Sequence, residues 1–243
     1  MLTQVVTGEG IELWTDEGAR SDGVLVAFAD RVGGASTAPY ASLNLAASVG
    51  DDPAAVDENR ARVARAAGFD VHELVLARQT HGCDVIEAAA SASGVVGEAD
   101  VLISRIPGKV IGILTADCVP VVLATEGAVA VAHAGWRGLV GGAIEAALER
   151  LGEVERAWVG PSIHACCYEV GPEVIERFRE RGLPVADETH VDPGRVAQFV
   201  LKRVGVPRVD VTTDCTSCNE RYFSYRRDGV TGRQGAFAGL LVR

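Results

Sequence analysis

Three side chains able to bind a metal stand where apolar runs of this 243-residue chain give out: His81 after LVLARQT, Cys118 after IGILTAD, and His133 after VAVA. Two imidazoles and a thiolate are a donor set that zinc accepts, and three protein ligands with a fourth position open are the pattern of a catalytic site. If the runs are neighbouring strands of one sheet, their ends converge and the three side chains meet. A metal-free reading uses the same residues, with Cys118 as nucleophile and His81 or His133 as its base. In either reading the catalytic residues are His81, Cys118 and His133.

Polar neighbours of these positions are candidates for holding a substrate. Asp117 and Arg78 lie one and three residues from proposed ligands, placed to orient them or to bind an anionic group. In VAVAHAGWRGL, Gly135 and Gly138 let backbone pass close to the site, Trp136 offers an apolar wall, and Arg137 serves an anion or a nearby carboxylate. Asn44, in the long segment GGASTAPYASLNL, offers both a donor and an acceptor. Arg226, Arg227 and Arg233, interspersed with Asp228, Gly229 and Gly232, read as a tight turn with a cationic rim or as a plain solvated hairpin.

A second group of cysteines is less promising. Cys215-x-x-Cys218 has half the spacing of a zinc ribbon, but the other half would have to come from adjacent Cys166 and Cys167, which rarely supply two tetrahedral ligands without strain. The zinc-deaminase signature H-x-E with P-C-x-x-C is absent, because Asp214 precedes Cys215 and Ala-Gly follows His133. His72, His164 and His190 have no partner at a telling spacing.

The elements that must position these groups follow from hydrophobic pattern and punctuation. GVLVAFADR (23–31), ELVLARQTHG (73–82), KVIGILTADCVPVVLAT (109–125) and GAVAVAHAG (127–135) read as strands, the last two as buried runs, the first of these near-continuous and interrupted by Ala-Asp-Cys. Further strands are expected at 156–160, 209–213 and 235–242. Helices are expected at 52–69, opened by Asp-Pro and ended near Gly68, and at 139–152, 171–182 and 192–206. Residues 32–53 read as a long ordered loop. No linker divides the chain, so one α/β domain spanning 1–243 is expected, its strands buried and its helices outside.

Bulk properties narrow the partners. A hydrophobic content of 48% is ample for a sizeable core, and a net charge of −10 with no basic block argues against nucleic acid. No segment approaches a membrane span and no signal-like start is evident, so a cytoplasmic protein with a small-molecule partner is expected. Six cysteines at irregular spacing suit free thiols or metal ligands better than a disulfide framework.

Eight blocks in order, among them RVGGAS, PYASLNLA, RQTHG, TADCVPVVL, AVAHAGWRGLVGG, VGPSIHACCYEVGPEV and CNERYFSYRRDGVTGRQ, resemble the laccase-domain family, that is, YfiH-type purine nucleoside phosphorylases or polyphenol oxidases. The resemblance implies a layered α/β/β/α fold and zinc at His81, Cys118 and His133. It also implies phosphorolysis of adenosine, inosine and methylthioadenosine to a base and a pentose 1-phosphate, with adenosine deamination as a side activity. Trp136 would then stack a purine, while Arg78 and the Arg226/Arg227 turn would be candidates for the phosphate.

Three other readings compete with this one. Some relatives are described as peptidoglycan-editing factors, which would make the site an amidase. Another reading is a zinc-stabilised binding protein without catalysis. The third is a copper-assisted polyphenol oxidase, but a blue-copper site takes two histidines and a cysteine, leaving three of five histidines for every other copper. That argues against a multinuclear centre and leaves weak redox activity from copper bound in vitro.

Overall fold

A computed structural model describes residues 1–7 and 10–242. The chain begins with β1 (Thr3–Val6), β2 (Glu12–Thr15), α1 (Glu17–Ser21), β3 (Val24–Ala29) and α2 (Pro53–Ala67). Next come β4 (Leu74–Arg78), β5 (Val85–Glu87), β6 (Gly94–Glu98), β7 (Val101–Ser104), β8 (Val110–Thr115), β9 (Val119–Ala124) and β10 (Val129–Ala134). It ends with α3 (Trp136–Gly141), α4 (Ala143–Leu151), β11 (Arg156–Val159), α5 (Pro172–Glu180), α6 (Pro193–Arg203), β12 (Arg208–Val211), α7 (Tyr225–Asp228) and β13 (Gln234–Leu240).

The strands form two sheets, β1-β2-β3-β13-β8-β4-β6 and β12-β11-β9-β10-β7-β5. Alternation along each strand assigns its two faces to different apolar layers. Val26, Phe28, Ile111 and Ile113 of the first sheet meet Leu102, Val122, Val131 and Trp158 of the second between the sheets. Helices α4, α5 and α6 cover the outer face of the second sheet through Ile144, Phe178 and Val200. Val63 and Ala67 of α2, with Leu43 and Leu45 of the long loop, cover the outer face of the first. The result is the expected α/β/β/α order. No described helix is long and apolar enough to cross a membrane.

Local chemistry explains the best-defined helix, α2. The Asp52 side chain accepts from the Ala54 amide, Pro53 occupies the first turn, and Gly68 closes the helix with φ of 75°. Two expectations are corrected. The helix expected at 139–152 is two helices, because Gly142 takes φ of 92° between them, and the first starts earlier, at Trp136.

The second correction matters for function. The apolar run 109–125 is not one strand: β8 belongs to the first sheet and β9 to the second, and Ala116, Asp117 and Cys118 make the crossing. The expectation that the three strand ends meet within one sheet is therefore wrong. His81 follows β4 of the first sheet, whereas His133 lies on β10 of the second. They converge because the sheets are stacked. Val129 and Val131 point into the inter-sheet layer, so alternation puts His133 on that side too.

Candidate active site

The donor atoms of His81, Cys118 and His133 all lie within 4.8 Å of one another. The two imidazoles meet edge to face, with centroids 4.8 Å apart and planes at 77°. His133 is buried and Cys118 half-buried, while His81 is exposed at the rim. Two backbone outliers flank the set: His81 at φ of 63° and Asp117 at 96°, the two described non-glycine residues in the left-handed region. Such conformations persist where the surrounding structure over-determines them, as it does here at the two turns that deliver His81 and Cys118.

At the His81 turn, Asp100 supplies that over-determination. Its fully buried carboxylate accepts from the Thr80, His81 and Gly82 amides at 3.0, 3.0 and 2.7 Å, and from the Thr80 hydroxyl at 3.1 Å. It also receives His133 Nδ1 at 2.7 Å, while its carbonyl accepts the His133 amide at 2.8 Å. One side chain thus sets the backbone around one histidine and the ring of the other. With Nδ1 turned towards Asp100, Nε2 of His133 is left as its donor atom for a metal. Asp100 is inconspicuous in the sequence, where its only signal is a carboxylate at the mouth of the buried strand VLIS.

The electrostatics favour a thiolate. Burial works against a Cys118 thiolate, but the adjoining imidazoles outweigh it and bring the thiol down to about 6. Burial likewise opposes the His133 imidazolium, yet Cys118 and Asp100 hold it up to about 9. Asp100 is held at about 2, its burial outweighed by His133 and the loop amides. The thiol and the imidazole facing it therefore form a thiolate–imidazolium pair backed by the Asp100 carboxylate, and a metal binding there would displace the proton on His133. Gly135 leaves room for a metal, since a Cβ there would sit 3.0 Å from both Cys118 Sγ and His81 Cδ2. Gly138 is less critical: its Cβ would come 3.3 Å from the Gly82 carbonyl.

The three donors lie at one side of a cavity of about 720 Å³, a size usual for small-molecule sites. Arg60, Arg78, Arg137, Arg226 and Arg233 line it, against a single carboxylate, Asp117. Burial lowers the pKa of Arg60 and Arg233, as expected for poorly hydrated cations. Both direct N–H groups to carbonyls, Arg60 to Leu45 at 2.9 Å and Arg233 to Thr231 and Gly232 at 2.9 and 2.8 Å. Tyr168 and Trp136 add aromatic walls. Arg60 and Tyr168 were not singled out from sequence, because neither sits beside a ligand in the chain.

The other expected contact residues divide. Trp136 and Arg137 line the cavity, with the Arg137 guanidinium 4.5 Å from the indole centroid. Arg78 reaches the cavity while paired with Glu98. Arg226 lies 5.0 Å over the Tyr168 ring and donates to the Glu169 carbonyl at 2.8 Å. The Asp117 carboxylate is taken up by the Thr216 hydroxyl at 2.6 Å and the Arg226 amide at 2.7 Å, so it braces the wall.

Asn44 differs from expectation. It is fully buried and absent from the cavity lining; its amide bonds Ala46, Asp51 and the Arg233 backbone. Its part is to shape the loop that carries Ala46 to Ser48 into the wall. The cationic turn is likewise no hairpin. Ser224 caps the single-turn helix α7, and Arg227 is spent on the Thr216, Ser217 and Tyr222 carbonyls and on Asp228.

The sequence model of the family described as multi-copper polyphenol oxidoreductase laccase matches residues 25–241. The chain belongs to that family, which includes the YfiH-type purine nucleoside phosphorylases. A purine nucleoside phosphorylase YfiH of Escherichia coli is 38% identical over 232 residues, 90% of this chain and 95% of the relative. An adenosine deaminase from an unknown prokaryotic organism is 36% identical over 233 residues, 83% of this chain and 87% of the relative. The crystal structure of a Bacillus licheniformis hypothetical protein YfiH superposes with a TM-score of 0.86 at 30% identity, covering 94% of this chain and 96% of that one. As a member of the YfiH-type family, the chain carries the layered fold of its structural neighbours with a group of side chains suited to a metal.

Proposed function

We propose that this chain is a zinc-dependent purine nucleoside phosphorylase acting on adenosine, inosine and methylthioadenosine, with adenosine deamination as a side activity. The observation that carries the proposal is charge: a chain of net −10 lines one cavity with five arginines beside a two-histidine, one-cysteine donor set. An anionic reactant explains that concentration, and inorganic phosphate is the anion the reaction consumes.

His81, Cys118 and His133 would hold the zinc, which when bound supplies Lewis acidity at a position the three protein ligands leave open. Among the described residues, no fourth histidine, cysteine, aspartate or glutamate joins that group. This favours a catalytic site over a zinc that merely ties strand ends together. Arg60 and Arg233 would bind phosphate near the sugar, so that one of its oxygens attacks C1′ as the bond from C1′ to the purine nitrogen breaks and its electron pair leaves with the base. Trp136 would stack the purine. Burial pushes the Tyr168 hydroxyl up to about 12, which keeps it protonated as a hydrogen-bond donor to the departing ring.

The test is a nucleoside panel with and without phosphate. Inosine should give hypoxanthine and a pentose 1-phosphate only when phosphate is present, and zinc-free protein should give neither. Hypoxanthine release at the same rate without phosphate would overturn the phosphorylase reading. Ammonia from adenosine, again dependent on zinc, checks the side activity.

A further inference from the structure

The structure gathers the remaining cysteine pairs into a second group. The Sγ atoms of Cys166, Cys167, Cys215 and Cys218 all lie within 4.8 Å of one another. Adjacency in sequence argues against Cys166 and Cys167 acting together, because neighbours in an extended chain point to opposite sides. Here they are not extended. The Cys167 and Tyr168 amides both return to the His164 carbonyl, at 3.0 and 2.9 Å, and the turn brings both thiols to the same side. The opposite pair sits on a second turn, where the Asn219 amide returns to the Cys215 carbonyl at 3.0 Å.

We propose that these four thiols bind a second zinc ion, structural in role and separate from the one at His81, Cys118 and His133. The Sγ atoms of Cys166 and Cys167 lie 3.5 and 3.3 Å from that of Cys218. That is far longer than a disulfide of about 2.05 Å, and close to the edge of roughly 3.8 Å in a tetrahedron of thiolates around zinc at about 2.3 Å. The His164 amide donates to Cys215 Sγ at 3.4 Å, the kind of support a metal-bound thiolate takes from backbone. Cys166 and Cys218 are exposed, which gives the ion a way in, while Cys215 is buried. Four ligands close the coordination sphere, and closed sulfur sites are structural.

The site has something to hold. It joins the segment that carries Tyr168 to the one that leads on to Arg226, and both of those residues line the cavity. Other contacts across that joint include the Thr216 amide to the Ser162 carbonyl at 3.0 Å, the His164 amide to Cys215 Sγ and the contacts of Arg226 with its neighbours.

Metal analysis of the full chain, purified in reductant, should find two zincs per chain. X-ray absorption at the zinc edge should report five sulfur ligands shared between them. Cys118→Ala should lose one zinc and leave a sulfur-only spectrum; Cys218→Ser should lose the other and keep the mixed histidine–sulfur spectrum. Cobalt taken up by the unmutated chain should add the intense visible bands of a tetrathiolate site, a readout that needs no variant to fold. One zinc with a single sulfur ligand would overturn the proposal, as would iron in place of the second zinc or a Cys167–Cys218 disulfide in the zinc-loaded protein. None of these readouts depends on turnover, so they stand apart from the fate of the phosphorylase reading.

Discussion

The carboxylate of Asp100 lies 2.7 Å from His133 Nδ1 and at the same time gathers the amides of residues 80–82, so one buried side chain fixes both histidines of the site. Outer-sphere carboxylates of this kind typically contribute about 10- to 100-fold to metal affinity. Asp100→Asn should weaken zinc binding by roughly that factor, read by competition with a chromogenic chelator. Unchanged affinity in a folded variant would show that the ligands orient themselves.

Gly135 is required for space. A methyl group there would press on Cys118 and His81 at 3.0 Å, whereas a Cβ at Gly127, on the turn between β9 and β10, would meet nothing within 4 Å. Gly135→Ala should therefore lower the zinc content of the first site, and Gly127→Ala should leave it intact. Metal content per chain for the two variants, side by side, decides the matter.

Arg60 and Arg233 are the half-buried cations of the cavity, while Arg227 is tied into its own loop. A hydrogen bond to a charged group contributes about 1.5–3 kcal/mol, or roughly 10- to 150-fold in an equilibrium constant. Arg60→Gln or Arg233→Gln should raise KM for phosphate by about tenfold or more, with a smaller effect on KM for the nucleoside. Arg227→Gln should lower the melting temperature instead. Equal effects of Arg60→Gln on both KM values would argue against a phosphate role.

Far from the site, Asp16 ties the first β-hairpin to the second sheet. Its buried carboxylate accepts from Trp158 Nε1 at 2.9 Å, Arg156 Nη2 at 2.6 Å and the Ala19 amide at 3.0 Å. Burial alone would raise its pKa, but these donors and the Met1 ammonium win and hold it at about 2. Since the folded value is below the unfolded one of about 3.9, the stabilisation is complete above that pH and is lost as pH falls towards 2. Asp16→Asn should cost about 3 kcal/mol at neutral pH and flatten the dependence of stability on pH between 4 and 2. Denaturant unfolding across that range measures both.

Much of this protein is legible in local sequence. That sequence placed α2 between Asp52-Pro53 and Gly68, marked the buried strands by unbroken apolar runs, and singled out His81, Cys118 and His133 because ligand-type residues at the ends of apolar strands are conspicuous. Those signals are local, written in neighbouring side chains. How the ligands meet depends instead on long-range packing. The run through Ala116, Asp117 and Cys118 looks like one strand because apolar residues continue on both sides, yet it steps between two sheets, and stacking those sheets is what brings His81 to His133. Asp100, Arg60 and Tyr168 are remote in the chain from the ligands they surround, so no spacing rule could select them. Asn44 misled for the converse reason: a polar residue in a functional-looking loop was spent on the loop's own backbone. The second group of cysteines was visible in the sequence but disfavoured because adjacent Cys166 and Cys167 rarely serve one ion without strain; the turn at His164, which no pattern of side chains announced, gathers all four thiols.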